Sequence, residues 1–248
     1  MILYNQAKYV KERVYRVKVS SANGYASGSG FFISPRKFLT CFHVVFLKEL
    51  RNLRNDSDFI RGVGADEHEK LQSYFSNKIT GIEIGIGKNI WITATLDKFE
   101  EKYDIAVLDV DIGKQRVNIC NLNWDPKINY GDYVFFGGFP THHEYDPDKA
   151  PFTAHEGMVS SFNETTVGGN KYEHIQINSI NLGGNSGAPL FKKGRSKVIG
   201  IVNGNMLRGN TNVLFQNPET NQTIRGPLLI PLSIAYATSL KLLKDKIS

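Results

Sequence analysis

The chain has 248 residues and 41% hydrophobic content, enough to bury the core of one large β domain or of two small ones. Thirty Lys and Arg against 24 Asp and Glu leave a net charge of +6, but the basic residues are scattered rather than striped, which argues against nucleic acid as a partner. No apolar run approaches the roughly 20 residues a membrane-spanning helix needs, so no membrane partner is expected either.

The opening stretch "MILYNQAKYVKERVYRV" has neither an uninterrupted apolar segment nor a small-residue cleavage site, so no secretory leader is read there and a cytoplasmic location is expected. The two cysteines, Cys41 and Cys120, fit reduced thiols better than a disulfide framework, with a single bridge left open. From Val14 the chain reads as short β-type runs: "VYRVKVSSA", "GSGFFIS", "KFLTCFHVV", "IEIGIGKNIWITATL" and "DIAVLDVD". A charged, helix-leaning insertion at residues 46–54 and 66–77 interrupts this group. After "KQRVNICNLNWDPKINYG" come "YVFFGGFP", "HEGMVSSF", "KYEHIQINSI", "APLFKK", "KVIGIVNG" and "PLLIPLS", with "KKGRSK" as a solvated hairpin turn. Many strands at short spacing, in two groups, predict an all-β protein of two barrels, divided at 1–118 and 119–248. Behind Pro231, the spacing of Leu232, Tyr236, Leu240, Leu243 and Ile247 predicts a C-terminal helix.

The stretch "INLGGNSGAPLF", residues 180–191, is a turn by composition. Its Ser186 is reactive only if a base takes its proton, a third group orients that base, and preorganised donors receive the oxyanion. Among His43, His68, His142, His143, His155 and His174, His43 stands out because it ends the apolar, strand-like run "FLTCFHVV". Of Asp104, Asp109 and Asp111, Asp104 opens an apolar run and suits a strand mouth, whereas the other two follow it as surface charges. Gly184 and Gly187 flank the serine, so Gly184, Asn185 and Ser186 form the candidate oxyanion loop, with the amides of Gly184 and Ser186 converging on one point.

Taken together, "GSGFFISPRKFLTCFHVV", "YDIAVLDV" and "GNSGAPLF…VIGIVNG" closely resemble the trypsin-like serine peptidases, in particular the HtrA/Deg-type branch. The order His, Asp, Ser is that of chymotrypsin-type enzymes, and "GGNSGAP" lacks the G-x-S-x-G of the α/β-hydrolases. The resemblance implies two six-stranded antiparallel barrels that together form one peptidase unit. It makes His43 the general base, Asp104 its orienting acid and Ser186 the nucleophile of a serine endopeptidase acting on protein or peptide substrates, with no cofactor or metal. Asn185 stands where secreted trypsins carry an Asp that pairs with a new N-terminus, so activation by zymogen cleavage is not expected. No PDZ domain follows the second barrel in this sequence, which leaves control to a regulatory partner, a homo-oligomer or the insertion. The resemblance further places the substrate pocket at Ile180, six residues before the serine, and the substrate-pairing edge at Ile201, Val202, Asn203 and Gly204. A floor without carboxylate favours apolar P1 residues. A catalytically silent binding module and an esterase with the same triad are the alternative readings.

Overall fold

The computed structural model describes residues 2–21, 24–46, 79–140, 150–167, 170–216 and 223–247. A helix, α1 (Ile2–Lys11), precedes the first six strands: β1 (Tyr15–Ser21), β2 (Gly24–Phe32), β3 (Lys37–Thr40), β4 (Ile79–Gly87), β5 (Ile90–Glu100) and β6 (Ile105–Val110). They close in the order β1-β2-β3-β6-β5-β4. A second closed barrel, β10-β11-β12-β9-β8-β7, is built from β7 (Tyr133–Gly138), β8 (Thr153–Val167), β9 (Asn170–Asn178), β10 (Pro189–Lys192), β11 (Val198–Gln216) and β12 (Thr223–Ser239). All pairings between named strands are antiparallel, so the expected pair of six-stranded antiparallel barrels is the fold.

Period-2 patterning explains the strands. In β1, Tyr15, Val17 and Val19 point into the barrel while Arg16 and Lys18 alternate outward. The β4–β5 hairpin turns at Lys88 and Asn89, and Asn89 takes the left-handed backbone (φ 60°) that asparagine tolerates. The second barrel fills with Val134, Phe136, Val159, Ile175, Ile177, Leu190, Ile199 and Val202. The first barrel's core does not stop at its own wall: it continues through Phe135, Phe191, Val198 and Ile201 of the second.

The chain ends cross over. From α1, Gln6 Nε2 donates to Lys192 O (3.1 Å), Gln6 Oε1 accepts from Gly194 N–H (2.8 Å), and Tyr9 packs edge-on against Phe191, which holds the helix to the β10–β11 turn. Leu240, Leu243 and Ile247 join the first barrel's cluster. Helix α1 had no counterpart among the sequence expectations, although Gln6 and Val10, one turn apart, supply its buried face.

Two expectations change. The C-terminal helix is confined to a 3-10 turn (Leu240–Leu242) and a single turn α2 (Lys244–Ile247), since Ala235–Thr238 are paired on both sides by β9 and β11. Pairing on both edges outweighs the helical spacing of Leu232, Tyr236 and Leu240, and the helical conformation begins only where Ser239 caps it by accepting from Lys241 N–H (3.3 Å). The second change concerns His43: β3 ends at Thr40 and residues 42–46 are helical. Phe42, Val45 and Phe46 fall on one helical face, and Phe42 and Phe46 pack on Phe99 with ring centroids 5.1 and 5.4 Å away. Apart from Phe46, the helix-leaning insertion lies outside the described residues.

Candidate active site

The helical turn at 42–46 fixes His43 from behind. With Phe42 and Phe46 locked on Phe99, the helical turn is held in place and the half-buried imidazole of His43 lies against Asp104. Asp104 caps the short 3-10 turn Glu101–Tyr103 in the left-handed region (φ 54°, ψ 49°), its N–H donating to Glu101 O (2.9 Å), one residue before β6 begins. That strained backbone turns the carboxylate toward His43. Oδ2 accepts from the His43 ring at Nδ1 (2.7 Å) and Oδ1 from the His43 backbone N–H (2.9 Å). An ionised carboxylate only accepts, so Nδ1 is the donor in this contact, and in the neutral ring that leaves the lone pair on Nε2.

Asp109 and Asp111 take no part. The first pairs with Lys37 (3.0 Å) and the second accepts from Gly113 N–H (3.0 Å), both at the surface end of β6.

Ser186 sits on the turn before β10. Asn185 N–H donates to Leu182 O (3.1 Å), and Gly184 at φ 100° supplies the third position of what is then a type II turn. The next reversal places Gly187 at φ 90°, with its N–H on Val202 O (2.7 Å). The amides of Asn185 and Gly187 are therefore committed, whereas those of Gly184 and Ser186 have no backbone acceptor among the described residues. Two uncommitted amides beside a half-exposed serine are what an oxyanion requires.

The barrels meet at this turn. A β-carbon on Gly28 would lie 2.6 Å from Val44, the residue after His43, and 3.1 Å from Ser186 O, so both lie against the same glycine. Ser29, fully buried on β2, uses every polar group it has. Its N–H donates to Ser186 O (2.8 Å) and its Oγ to Gly184 O (2.7 Å), while Oγ accepts from Phe139 N–H (3.0 Å) and its carbonyl from Thr40 Oγ1 (2.7 Å). Behind Asp104, Thr238 Oγ1 on β12 donates to Tyr103 O (3.3 Å) and accepts from Asn203 Nδ2 (2.9 Å). Ser29 and Thr238 escaped sequence reasoning because nothing local distinguishes a buried hydroxyl from a surface one.

Cys41 lies beside the pair, though not by sharing a strand face with His43. Its thiol donates to Val202 O (3.4 Å), and burial followed by the Asp104 charge push its pKa well above the ordinary value. It stays a neutral packing residue. Cys41, His43 and Asp104 are the one set of potential metal ligands grouped together among the described residues, but a thiol held protonated and a carboxylate already bonded to imidazole are poor donors for a metal. Cys120 is also free and buried, with its pKa raised by burial to about 12.

The predicted substrate residues divide. Ile201 and Val202 are fully buried in the two cores, and Val202 also has both backbone groups engaged, so their side chains do not face a cleft. Asn203 and Gly204 are half-buried, with Gly204 O accepting from Asn181 Nδ2 (2.8 Å). Ile180 is 55% exposed, an open position beside the turn. His68, His142 and His143 lie outside the described residues. His155 and His174 are half-buried in the second barrel, where burial lowers the pKa of both and the Asp104 charge partly offsets the effect on His174.

Solved structures agree with this architecture. The active form of the Rv3671c protease from M. tuberculosis superposes with a TM-score of 0.61 at 14% identity, covering 99% of this chain and 82% of that one. Deg5 gives 0.57 at 18%, covering 82% and 84%. The serine endoprotease from Yersinia pestis gives 0.60 at 20%, covering 98% of this chain and 64% of its own. At such identities the likeness is one of fold. No curated protein sequence matches the chain. The model of the trypsin-like peptidase domain matches residues 28–201, from the β2 strand that carries Ser29 to the β11 strand behind the serine turn, and by that match the chain belongs to the trypsin-like peptidases and is a serine-type endopeptidase.

Proposed function

We propose that the protein cleaves protein or peptide substrates through a His43–Asp104–Ser186 triad and an acyl-enzyme. His43 Nε2 takes the Ser186 hydroxyl proton as Oγ attacks the scissile carbonyl, and the oxyanion is received by the amides of Gly184 and Ser186. The imidazolium, held by Asp104, passes the proton to the leaving amine. Water, deprotonated in turn by His43, then releases the acid and restores Ser186. The observation that carries this reading is the doubly bonded His43–Asp104 pair set across Gly28 from a turn whose Gly184 and Ser186 amides are uncommitted.

In this reading residues 1–118 and 119–248 are two halves of one catalytic unit, with small or medium apolar P1 residues preferred beside Ile180. Among the described residues no helix is long and apolar enough to cross a membrane, and the two buried thiols suit a cytoplasmic setting. With Asn185 in place of an aspartate, control falls to a protein partner or to self-association rather than to N-terminal cleavage.

A fluorophosphonate probe tests the site directly. Wild type should label at one serine, Ser186→Ala should not label at all, and His43→Ala should label slower by about a thousandfold or more, as triad bases do. Labelling that persists in Ser186→Ala overturns the nucleophile, while a folded wild type that never labels favours a silent binding module. Peptide and ester substrates offered side by side then separate endopeptidase from esterase.

A further inference from the structure

Asn185 is fully buried, yet its amide has a single hydrogen-bond partner among the described residues: Nδ2 donates to His155 Nε2 (3.1 Å). Its Oδ1 has none and is packed so closely on the end of β7 that a β-carbon on Gly138 would lie 2.7 Å away. Asn185 is also the residue between the two uncommitted amides, so whatever holds its side chain holds the turn that aims them. His155 is well placed for that. It stands on β8 opposite Phe136 of β7, its ring stacks on the Phe136 ring with centroids 5.0 Å apart and planes 18° from parallel, and Thr153 Oγ1 lies 3.0 Å from the same Nε2.

We propose that His155 is a positioning residue for catalysis, its imidazole fixing Asn185 and through it the oxyanion turn at residues 182–187. This rests on the triad reading above. The contact takes the place that zymogen cleavage fills where an aspartate precedes the serine: a ring already inside the second barrel supplies the anchor, so no new N-terminus is needed.

The geometry sets the protonation state required. With the proton on Nδ1, Nε2 accepts from Asn185 Nδ2; with a proton on Nε2, two donors face each other and Asn185 Nδ2 loses its one partner. Burial favours the neutral ring. Nothing charged among the described neighbours opposes it: β7 contributes Phe136, with Tyr133 at its far end, and residues 181–187 carry no titratable side chain. On β8, the adjacent Glu156 is paired with Lys193. The wild type must then lose a proton from His155 as well as from His43 to become active.

The test compares wild type, His155→Ala and His155→Gln, after loss of fluorophosphonate labelling in Ser186→Ala has established the nucleophile, so that a failure of the triad reading is seen separately. His155→Ala should lower kcat by about 10- to 100-fold, short of the ~10²–10³ that deleting an oxyanion donor costs, with KM changed less than about threefold. His155→Gln, whose amide still reaches Asn185, should recover much of that loss. On the acid side, log kcat/KM of the wild type should steepen from a slope of about one to about two, while His155→Gln stays at about one. If His155→Ala does not fold, the glutamine variant alone carries the pH test. The proposal is overturned if both variants keep kcat within about twofold of wild type, or if the acid limb of His155→Gln follows that of the wild type.

Discussion

The two barrels build their halves of the site in different ways. The first sets His43 and Asp104 mostly with its own material: Phe42, Phe46 and Phe99 pack behind the histidine, and the Glu101–Tyr103 turn delivers the aspartate, with Thr238 of β12 adding one hydrogen bond to that turn. The second presents Ser186 on a turn whose supports come from elsewhere. Ser29, itself held by Thr40, reaches it from the first barrel, and His155 reaches it from β8 of the second. The proposed base is thus mostly a local product and the proposed oxyanion turn an assembled one, so damage to the interface between barrels should disable the serine half more than the His43–Asp104 pair.

The sharpest way to break that asymmetry is Gly187→Ala. At φ 90° an alanine is strained, at about 1–2 kcal/mol for a left-handed residue, and its β-carbon would sit 1.9 Å from Ser29 O and 2.5 Å from Thr40 Oγ1. Backbone cannot yield as a flexible side-chain end can, so the turn must leave Ser29. Activity should fall below detection in a peptide-hydrolysis assay with the protein still folded by circular dichroism. Gly183→Ala, four residues earlier with nothing within 4 Å of its β-carbon, should leave thermal stability within about 0.5 kcal/mol of wild type. Equal losses in the two variants would show that the turn is not held from the first barrel.

Legibility in the sequence follows the same division. Strands whose apolar residues alternate, such as β1, and the flanked serine of "GGNSGAP" could be read directly, because the determining contacts are local. The run from Phe38 to Phe46 reads as one β-type run but is a strand only to Thr40, since a continuous apolar stretch fits a strand and a buried helical turn equally; packing on Phe99, more than fifty residues away, decides it. The strand character of residues 234–239 likewise depends on β9 and β11. Ser29, Thr238 and His155 carry no local signature: each is an ordinary residue in its own segment, and its role exists only where the barrels or their strands meet.

A milder challenge is Ser29→Ala. It removes one hydroxyl but orphans two groups at once, the buried Gly184 O and the half-buried Phe139 N–H. An unsatisfied buried polar group costs about 1–3 kcal/mol, so urea unfolding should show a loss in that range with the slope unchanged. The same variant should lower kcat more than it raises KM, because Gly184 O is the carbonyl side of the turn that aims the oxyanion amides. A stability loss with kcat unaltered would make Ser29 a core residue only, and the interface would then matter less to the serine half than the first barrel's reach suggests.

The smallest effect expected is in the pH dependence of stability, where the barrels should again differ. Burial lowers the pKa of His155 and of His174 below the usual 6.5, with Asp104 partly offsetting the second. The unfolded chain binds those protons more readily than the folded one, so the neutral rings contribute stability that is complete above pH 6.5 and is lost as pH falls through the folded values. Both rings lie on strands of the second barrel, β8 and β9, which makes that barrel the acid-sensitive one. Midpoints of urea unfolding taken between pH 7.5 and 5 should therefore fall, and a His155→Gln, His174→Gln double variant should flatten the curve. An unchanged slope in the double variant would place the acid sensitivity in groups other than the buried imidazoles.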